Sequence, residues 1–217
     1  YGTELVRMLR ESRLEDYAHL SESEFKALEQ YVFDNRDRYW IGGAPMSLIK
    51  GVLYDVVLDA DSTLEQQHYR APPDKQSILQ RHIEKEIKLG TLKKAGGGRY
   101  LSPVIVVDVG KRGKPLGRMV CDFRKINKKT KKALFPMPPL WPTLRQISQA
   151  KFKTMQDAVS GFNQAGLTDR AKEALTITCH LGTFQRQVLP FGPMNGPQNF
   201  QQIMMRKFEP CSKELAI

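Results

Sequence analysis

Two short apolar runs joined by a glycine-rich turn constrain the fold more than any other feature of the sequence. Residues 104–109 and 116–123 are rich in β-branched side chains, which favour strands. The segment between them is Gly110-Lys111-Arg112-Gly113-Lys114-Pro115. Glycine and proline at this spacing suit a hairpin turn. The sequence therefore predicts an antiparallel pair with a basic tip.

Helical patterns precede this hairpin. Residues 1–40 are charged and helical in pattern, and Ser21 with Glu24 forms a capping box. The apolar stripe that follows it is Phe25, Leu28, Val32 and Phe33. A second helix is predicted over residues 74–89, where Gly90 ends it. Its inward face is Ile78, Leu79, Ile83 and Ile87.

Shorter elements complete the pattern. Strands are predicted over residues 52–58, 152–157, 175–178 and 184–189, and a short helix over 143–149. Residues 125–132 have the pattern of a basic loop. Asn195-Gly196-Pro197 opens a last helix, with its inward residues predicted to be Phe200, Ile203, Met204 and Phe208. Runs of strands mixed with helices indicate an α+β fold with mainly antiparallel pairing.

The charge balance favours a polyanionic partner. The 217 residues include 34 Lys and Arg against 23 Asp and Glu, a net charge of +11. Nucleic acid is the first candidate for such a surplus, and a basic surface that merely keeps the chain soluble is the alternative. An apolar run long enough to cross a bilayer does not occur in the sequence, so we expect no membrane partner.

Cysteine and histidine do not suggest a metal site. Cys121, Cys179 and Cys211 are far apart, and the four histidines are scattered. This spacing excludes a zinc knuckle or a redox pair. We expect buried thiols in a reducing, intracellular compartment.

Three segments carry residues suited to chemistry. Asp157 ends a predicted strand, and a carboxylate there could begin a Mg²⁺ site for phosphoryl transfer, although a strand-terminal aspartate is more often a turn or cap residue. Arg118 lies on a strand that could grip phosphate oxygens, or it is a solvated charge. The loop of residues 189–197 leads into an amphipathic helix, which is also an ordinary arrangement.

In this order the segments resemble the reverse transcriptase domain of gypsy-like long-terminal-repeat retrotransposons. The resemblance lies in the runs YRAPPDKQSILQRHIEKEIKLGTLKKA, YLSPVIVV, GRMVCDFRKINKKT, FKTMQDAVSGFNQAGL and TFQRQVLPFGPMNGPQNFQQIM. It covers residues 54–208. It implies the fingers and first part of the palm of a right-hand polymerase, with an incomplete palm sheet and flanking helices. Residues 1–53 resemble the preceding helical linker, and 54–217 form the partial reverse transcriptase domain.

The resemblance also implies roles for particular residues. Asp157 becomes the first catalytic, metal-binding aspartate, and Ala158 offers a backbone contact to the metal. The nucleotide-binding residues become Arg118 on the triphosphate, Phe162 against the sugar, Gln164, Phe191 and Lys111. The nucleic-acid-binding residues become Arg124, Lys128, Lys129, Asn195, Gly196 and Pro197. The implied partners are an RNA/DNA template–primer, a dNTP and the remainder of a Pol polyprotein, with its thumb and ribonuclease H.

Activity is a separate question from family. The resemblance implies Mg²⁺ or Mn²⁺ in the complete enzyme, held by an Asp-Asp hairpin that is expected beyond Ile217. One carboxylate cannot hold two Mg²⁺ ions, so we expect this chain to be inactive in polymerisation by itself. A non-catalytic nucleic-acid-binding relic of such a polymerase remains open, as does a protein-interaction domain whose basic charge is incidental.

Overall fold

The computed structural model describes residues 2–12, 16–40, 47–59, 63–108, 117–136, 138–151, 153 and 157–209. The chain divides into two compact units, Tyr1–Met46 and Ser47–Ile217. We place the boundary between linker and polymerase domain at 53/54 from the sequence, a few residues later. Ile49 and Val52 pack against the core of the second unit, which explains the earlier division.

The first unit contains helices α1 (Gly2–Glu11) and α2 (Glu22–Asp34) and a 3₁₀ turn at Arg36–Arg38. The predicted capping box at the start of α2 is confirmed. The Ser21 hydroxyl accepts from the Glu24 backbone N–H at 3.3 Å, and the Glu24 carboxylate accepts from the Ser21 N–H at 2.8 Å. Phe25 and Val32 are buried as predicted.

The predicted inward stripe of α2 is wrong at Phe33, because this side chain is 41% exposed. The ring lies beside the start of α1, where a Cβ added to Gly2 would be 3.0 Å from Phe33 Cε2. Glycine at this position therefore allows the two helices to approach closely.

A five-stranded mixed sheet forms the centre of the second unit. Its strands are β2 (Leu92–Ala95), β3 (Ser102–Asp108), β4 (Gly117–Cys121), β6 (Ile177–Cys179) and β7 (Gly182–Arg186), in the order β2-β7-β6-β3-β4. β3 and β4 are antiparallel with Val106 opposite Met119, which confirms the predicted hairpin. Its predicted tip lies outside the described residues. β3 and β6 run parallel.

Two very short strands pair beside this sheet. β1 (Leu53–Tyr54) and β5 (Gly166–Leu167) are parallel. The strand predicted over 52–58 is therefore shorter than expected, and Leu58 makes only an isolated bridge to Thr130. Of the strand predicted over 152–157, residues 152 and 154–156 lie outside the described residues, and Asp157 has irregular structure.

Helix α3 (Pro73–Lys88) covers the sheet and confirms the predicted second helix. Ile78, Leu79 and Ile83 are buried as predicted. Ile87 is 43% exposed, so its predicted inward position is wrong. Gly90 follows the helix with a φ of 72°, a left-handed conformation that glycine adopts without strain.

The basic segment is helical where a loop was predicted. Residues Arg124–Lys129 form α4, which buries Ile126 against the core. Beyond it, α5 (Leu140–Gln149) extends the predicted 143–149 helix, and α6 (Asp169–Ala174) was not predicted. Burial of one apolar side chain in a run of cations decides the conformation of α4, which local composition does not reveal.

The last helix, α7 (Gly196–Phe208), begins where the sequence predicts. Ile203 is buried, but Phe208 is 41% exposed and does not face inward as expected. Among the cysteines that the structure describes, Cys121 is half-buried and Cys179 is buried. Burial raises the pKa of the Cys179 thiol. Within the described residues, we find no helix with the length and apolar character needed to cross a membrane.

Candidate nucleotide and nucleic-acid site

Three aromatic rings from separate parts of the chain meet at one place. The Phe162 ring centroid lies 4.9 Å from that of Phe191 and 5.2 Å from that of Phe200. Phe162 packs against the core, whereas Phe191 is 60% exposed. The cluster therefore has an anchored base and a solvent-facing ring, as a pocket wall for a flat ligand would have.

Arg118 approaches this cluster from β4. Its guanidinium carbon lies 5.7 Å from the centroid of the Phe191 ring. The side chain is exposed, on the side of the strand opposite to Met119, which packs against the core. A cation held over an aromatic face retains free N–H groups, which can bind phosphate oxygens.

A tight turn follows Asp157 and leads along the chain to Phe162. The Gly161 N–H donates to the Ala158 carbonyl at 3.1 Å, and the Asn163 N–H to the Ser160 carbonyl at 2.8 Å. The turn continues into a 3₁₀ helix at Gly161–Gln164. Asp157 and Ala158 are both exposed, so the carboxylate is open to solvent as a metal-binding role requires.

Gly161 has a steric role in this turn. A Cβ at this position would lie 2.6 Å from Phe200 Cζ, so only glycine lets the turn approach the ring. Gln164, predicted to shape the pocket, donates its side-chain amide to the Val159 carbonyl at 2.9 Å. In this structure Gln164 therefore ties the turn together.

The loop that carries Phe191 is tied to the segment after β4. Asn127 of α4 donates its amide to the Gly192 carbonyl and accepts from the Met194 N–H, each at 2.9 Å. Asn195 donates to the Lys131 carbonyl at 2.7 Å and accepts from the Ala133 N–H at 3.0 Å. The sequence did not single out Asn127, since an asparagine in a basic run carries no signal of its own.

The predicted nucleic-acid-binding residues differ in how available they are. Lys128 and Pro197 are exposed and Lys129 is half-buried, whereas Asn195 and Gly196 are buried. The Asn195 side-chain amide is hydrogen-bonded to the backbone at Lys131 and Ala133. Burial leaves little of Asn195 and Gly196 accessible to a ligand, whereas Lys128 and Pro197 are accessible. Lys111 lies outside the described residues.

Arg124 is paired within the protein. Its guanidinium donates to both carboxylate oxygens of Asp122, at 2.8 and 2.7 Å, and the Tyr69 hydroxyl donates to the same carboxylate at 2.7 Å. The Arg124 hydrogen bonds hold the pKa of Asp122 well below its ordinary value, and those to Asp122 raise the pKa of Arg124. Arg124 remains largely exposed, so it can still face an anion with part of its charge offset.

Carboxylates do not gather into a metal site in the described part of the chain, which holds no group of three His, Cys, Asp or Glu side chains suited to a metal ion. Asp157 is an exposed oxygen ligand of the kind that Mg²⁺ accepts. One carboxylate fits part of a two-metal site, and the remaining ligands would have to come from substrate and from other carboxylates.

No protein-family model matches the chain. Among curated proteins, it is 36% identical over 135 residues to the putative enzymatic polyprotein of Cassava vein mosaic virus, covering 59% of this chain and 20% of that protein. It is 27% identical over 186 residues to the retrovirus-related Pol polyprotein from transposon 412 of Drosophila melanogaster, covering 83% of this chain and 15% of the relative.

A third relative is the Pol polyprotein from transposon gypsy of Drosophila melanogaster, 36% identical over 108 residues, with coverage of 48% of this chain and 10% of the relative. The chain is a relative of retrotransposon Pol polyproteins. The predicted resemblance is confirmed, and the match spans a fifth or less of each of these relatives.

The solved structures establish the fold of this Pol relative. The crystal structure of prototype foamy virus protease-reverse transcriptase, CSH mutant, has a TM-score of 0.79 and 20% identity, covering 94% of this chain and 27% of that one. The foamy viral protease-reverse transcriptase in complex with RNA/DNA hybrid has a TM-score of 0.76 and 21% identity, covering 96% and 26%. The predicted α+β reverse transcriptase fold is confirmed.

Proposed function

We propose that this Pol relative forms the fingers and first part of the palm of an RNA-directed DNA polymerase. In this proposal the chain binds a template–primer on its basic surface and a dNTP beside the ring of Phe191. The reaction of the complete enzyme would transfer a dNMP to a primer 3′-hydroxyl. We do not expect this chain to polymerise DNA by itself.

One observation carries the proposal. Arg118, Phe162 and Phe191 lie far apart in sequence, yet the Phe191 ring contacts both of the others, at 5.7 Å from the Arg118 guanidinium carbon and 4.9 Å from the Phe162 ring. A cation and two rings suit the phosphate and the flat parts of a nucleotide. Because Arg118 and Phe191 are both exposed, their contact leaves guanidinium N–H groups and part of an aromatic ring accessible to a ligand.

Basic residues near this cluster support a nucleic-acid partner. Lys128 and Lys129 lie on α4, and Lys131 follows it with an exposed side chain. The net charge of +11 favours a polyanion. The foamy viral relative was solved in complex with RNA/DNA hybrid, which supports the same class of ligand here.

Asp157 is the proposed first ligand for Mg²⁺, with the Ala158 backbone beside it. When bound, Mg²⁺ would neutralise charge on the phosphates of the nucleotide. Asp157 contributes an exposed carboxylate just before the hydrogen-bonded turn that begins at Ala158, and Phe162 follows five residues later. Because the described residues hold no group of three metal ligands, we assign no catalytic step to this site.

A second candidate is a nucleic-acid-binding domain without polymerase chemistry. The lack of a group of three metal ligands among the described residues favours this candidate, since a single carboxylate does not form a two-metal site. Both candidates predict hybrid binding that weakens as salt rises. They differ in nucleotide binding, because a domain that binds only the nucleic-acid backbone has no site that selects a dNTP over an rNTP.

Ligand-observed NMR on the chain with an RNA/DNA hybrid and Mg²⁺ tests the proposal. We expect dGTP to bind at least about tenfold more tightly than GTP, a difference of about 1.4 kcal/mol. Phe162→Val should remove this preference, because the ring would no longer crowd a 2′-hydroxyl. Phe33→Val is the matched control, since Phe33 is an exposed ring in the first unit. Equal binding of dGTP and GTP by the unmodified chain favours the second candidate.

A further inference from the structure

Two asparagines form a reciprocal connection that we call the asparagine clamp. Asn127 projects from α4 to the backbone of the loop, at Gly192 and Met194. Asn195 projects from the loop to the backbone after α4, at Lys131 and Ala133. Each side-chain amide uses its oxygen as acceptor and its nitrogen as donor. This pairing fixes the orientation of both amides, since a flipped amide would lose both bonds.

The position of Asn195 shows how fully its side chain is committed. Asn195 is the N-cap residue of α7, where an asparagine oxygen ordinarily accepts from a backbone N–H of the first turn. Within the described part of the chain, its side chain makes no such capping bond. The residue is 5% exposed, so the clamp satisfies a buried amide that would otherwise be costly.

The clamp holds the backbone on which Phe191 stands. Gly192 follows Phe191 directly and has a φ of 110°, a conformation that favours glycine. Its carbonyl is the group that Asn127 binds, at 2.9 Å. Phe191 itself is 60% exposed, so packing alone fixes its ring only weakly. The ring nevertheless meets Phe162 and Arg118, which requires a fixed backbone.

We infer that Asn127 and Asn195 are positioning residues for the nucleotide pocket, and that they act by holding the Phe191 ring against Phe162 and Arg118. This inference rests on the proposed function, because it assigns the clamp to nucleotide binding. Asn195 thereby serves the nucleotide through the loop and makes no direct contact with nucleic acid. The clamp also joins the pocket loop to the segment that carries Lys128 and Lys131.

Amide hydrogen exchange tests the clamp without relying on any ligand. In Asn127→Ala and in Asn195→Ala, we expect the loop amides, Met194 above all, to exchange faster than in the unmodified chain. The double variant should exchange about as fast as the faster single variant, because both changes release the same loop. Asn35→Ala, which removes a side-chain bond to the Tyr31 carbonyl in the first unit, is the control. Unchanged loop exchange in both single variants overturns the clamp.

Nucleotide affinity tests the role of the clamp. We expect Asn127→Ala to weaken dGTP binding about tenfold, as loss of two hydrogen bonds that order the site would do. Hybrid affinity should change less than about twofold, since a bonded asparagine does not carry the phosphate contacts. Asn127→Asp keeps the acceptor for the Met194 N–H and loses the donor to the Gly192 carbonyl. Its dGTP affinity should therefore lie between that of the unmodified chain and that of Asn127→Ala.

The outcomes separate the clamp from the proposed function. Faster loop exchange with unchanged dGTP affinity overturns the positioning role while the proposed function stands. Absence of dGTP binding in the unmodified chain overturns the proposed function and the positioning role together, and the exchange data still decide whether the clamp orders the loop. A parallel loss of dGTP and hybrid affinity, with a broadened thermal melt, indicates general unfolding and also counts against the inference.

Discussion

Tyr54 carries a hydroxyl into the core at β1. The residue is 2% exposed, and its oxygen has no hydrogen-bond partner among the residues that the structure describes. Burial raises the pKa of this phenol to about 12, with a smaller contribution from Asp55. An unpartnered buried hydroxyl is a cost to folding, and a phenol that resists ionisation makes stability depend on alkaline pH.

Tyr54→Phe should therefore leave stability at neutral pH unchanged or raise it by about 1 kcal/mol. The unmodified chain should lose stability as pH rises from about 10 toward 12, because the unfolded chain releases the phenol proton first. The variant should lose less over that window. Urea denaturation at pH 7 and pH 11 measures both effects, and a variant less stable at pH 7 would reveal a hydrogen bond to the hydroxyl.

At the same scale, the sequence predicts candidate site residues but not the contacts that surround them. Phe162 and Phe191 are predicted only from the family resemblance, whereas Arg118 is also a candidate from its place on a strand. The contacts of the Phe191 ring with both of them depend on tertiary structure, which the sequence does not show. Asn127 could not be named at all. Its role depends on a loop 65 residues later in the chain, and a single asparagine carries no sequence signal for such a bond.

Among the elements, long amphipathic helices and the hairpin were predictable from local pattern. The boundaries of α3 and the β3–β4 pair agree with their sequence signals within a few residues. β2 was missed because its sequence, Leu-Lys-Lys-Ala, has weak strand propensity and only Leu92 is buried. Pairing with β7 along the edge of the sheet fixes its conformation, which tertiary contacts decide.

The capping box of α2 gives a prediction for the first unit. Ser21→Ala removes the acceptor for the Glu24 N–H and should destabilise the helix by about 1 kcal/mol. Ser21→Asp keeps an acceptor and should retain most of the stability. Helix content followed by far-ultraviolet circular dichroism during heating measures this. Equal melting of all three proteins would show that the cap adds little to the first unit.

A buried ion pair links helix α3 to the sheet. The Arg186 guanidinium on β7 pairs with Glu86 on α3 and donates to Cys121 Sγ at 3.2 Å. Arg186 is only 6% exposed. Glu86→Gln leaves this cation without its counter-charge, so we expect a loss of at least about 2 kcal/mol in the free energy of unfolding.

Glu4→Gln is the matched control for this pair, because Glu4 pairs with Arg7 and both side chains are well exposed. The cost there should be much smaller than that of Glu86→Gln, because water screens a surface pair. Urea denaturation of both variants measures the difference. Similar costs in the two variants would mean that water reaches Arg186 and replaces the lost carboxylate.

For the whole molecule, the central question is whether the net charge of +11 acts everywhere or at one surface. The predicted nucleic-acid-binding lysines and the adjacent Lys131 lie in one short segment, at the end of α4 and just after it. A polyanion that binds this segment releases counterions there. If affinity depended only on the total charge of the protein, removing a cation at any position would weaken binding by a similar amount.

Charge reversal at two positions distinguishes these cases. Lys128→Glu with Lys131→Glu should weaken RNA/DNA hybrid binding and reduce the slope of log affinity against log salt by about 2, one for each lost phosphate contact. Lys88→Glu with Lys93→Glu produces the same net charge and should leave the slope nearly unchanged, because β2, which carries Lys93, lies at the opposite edge of the sheet from β4. Fluorescence anisotropy over a salt series measures both slopes. Equal reductions in the two double variants would mean that the hybrid responds to total charge, and that the segment after β4 is not its binding surface.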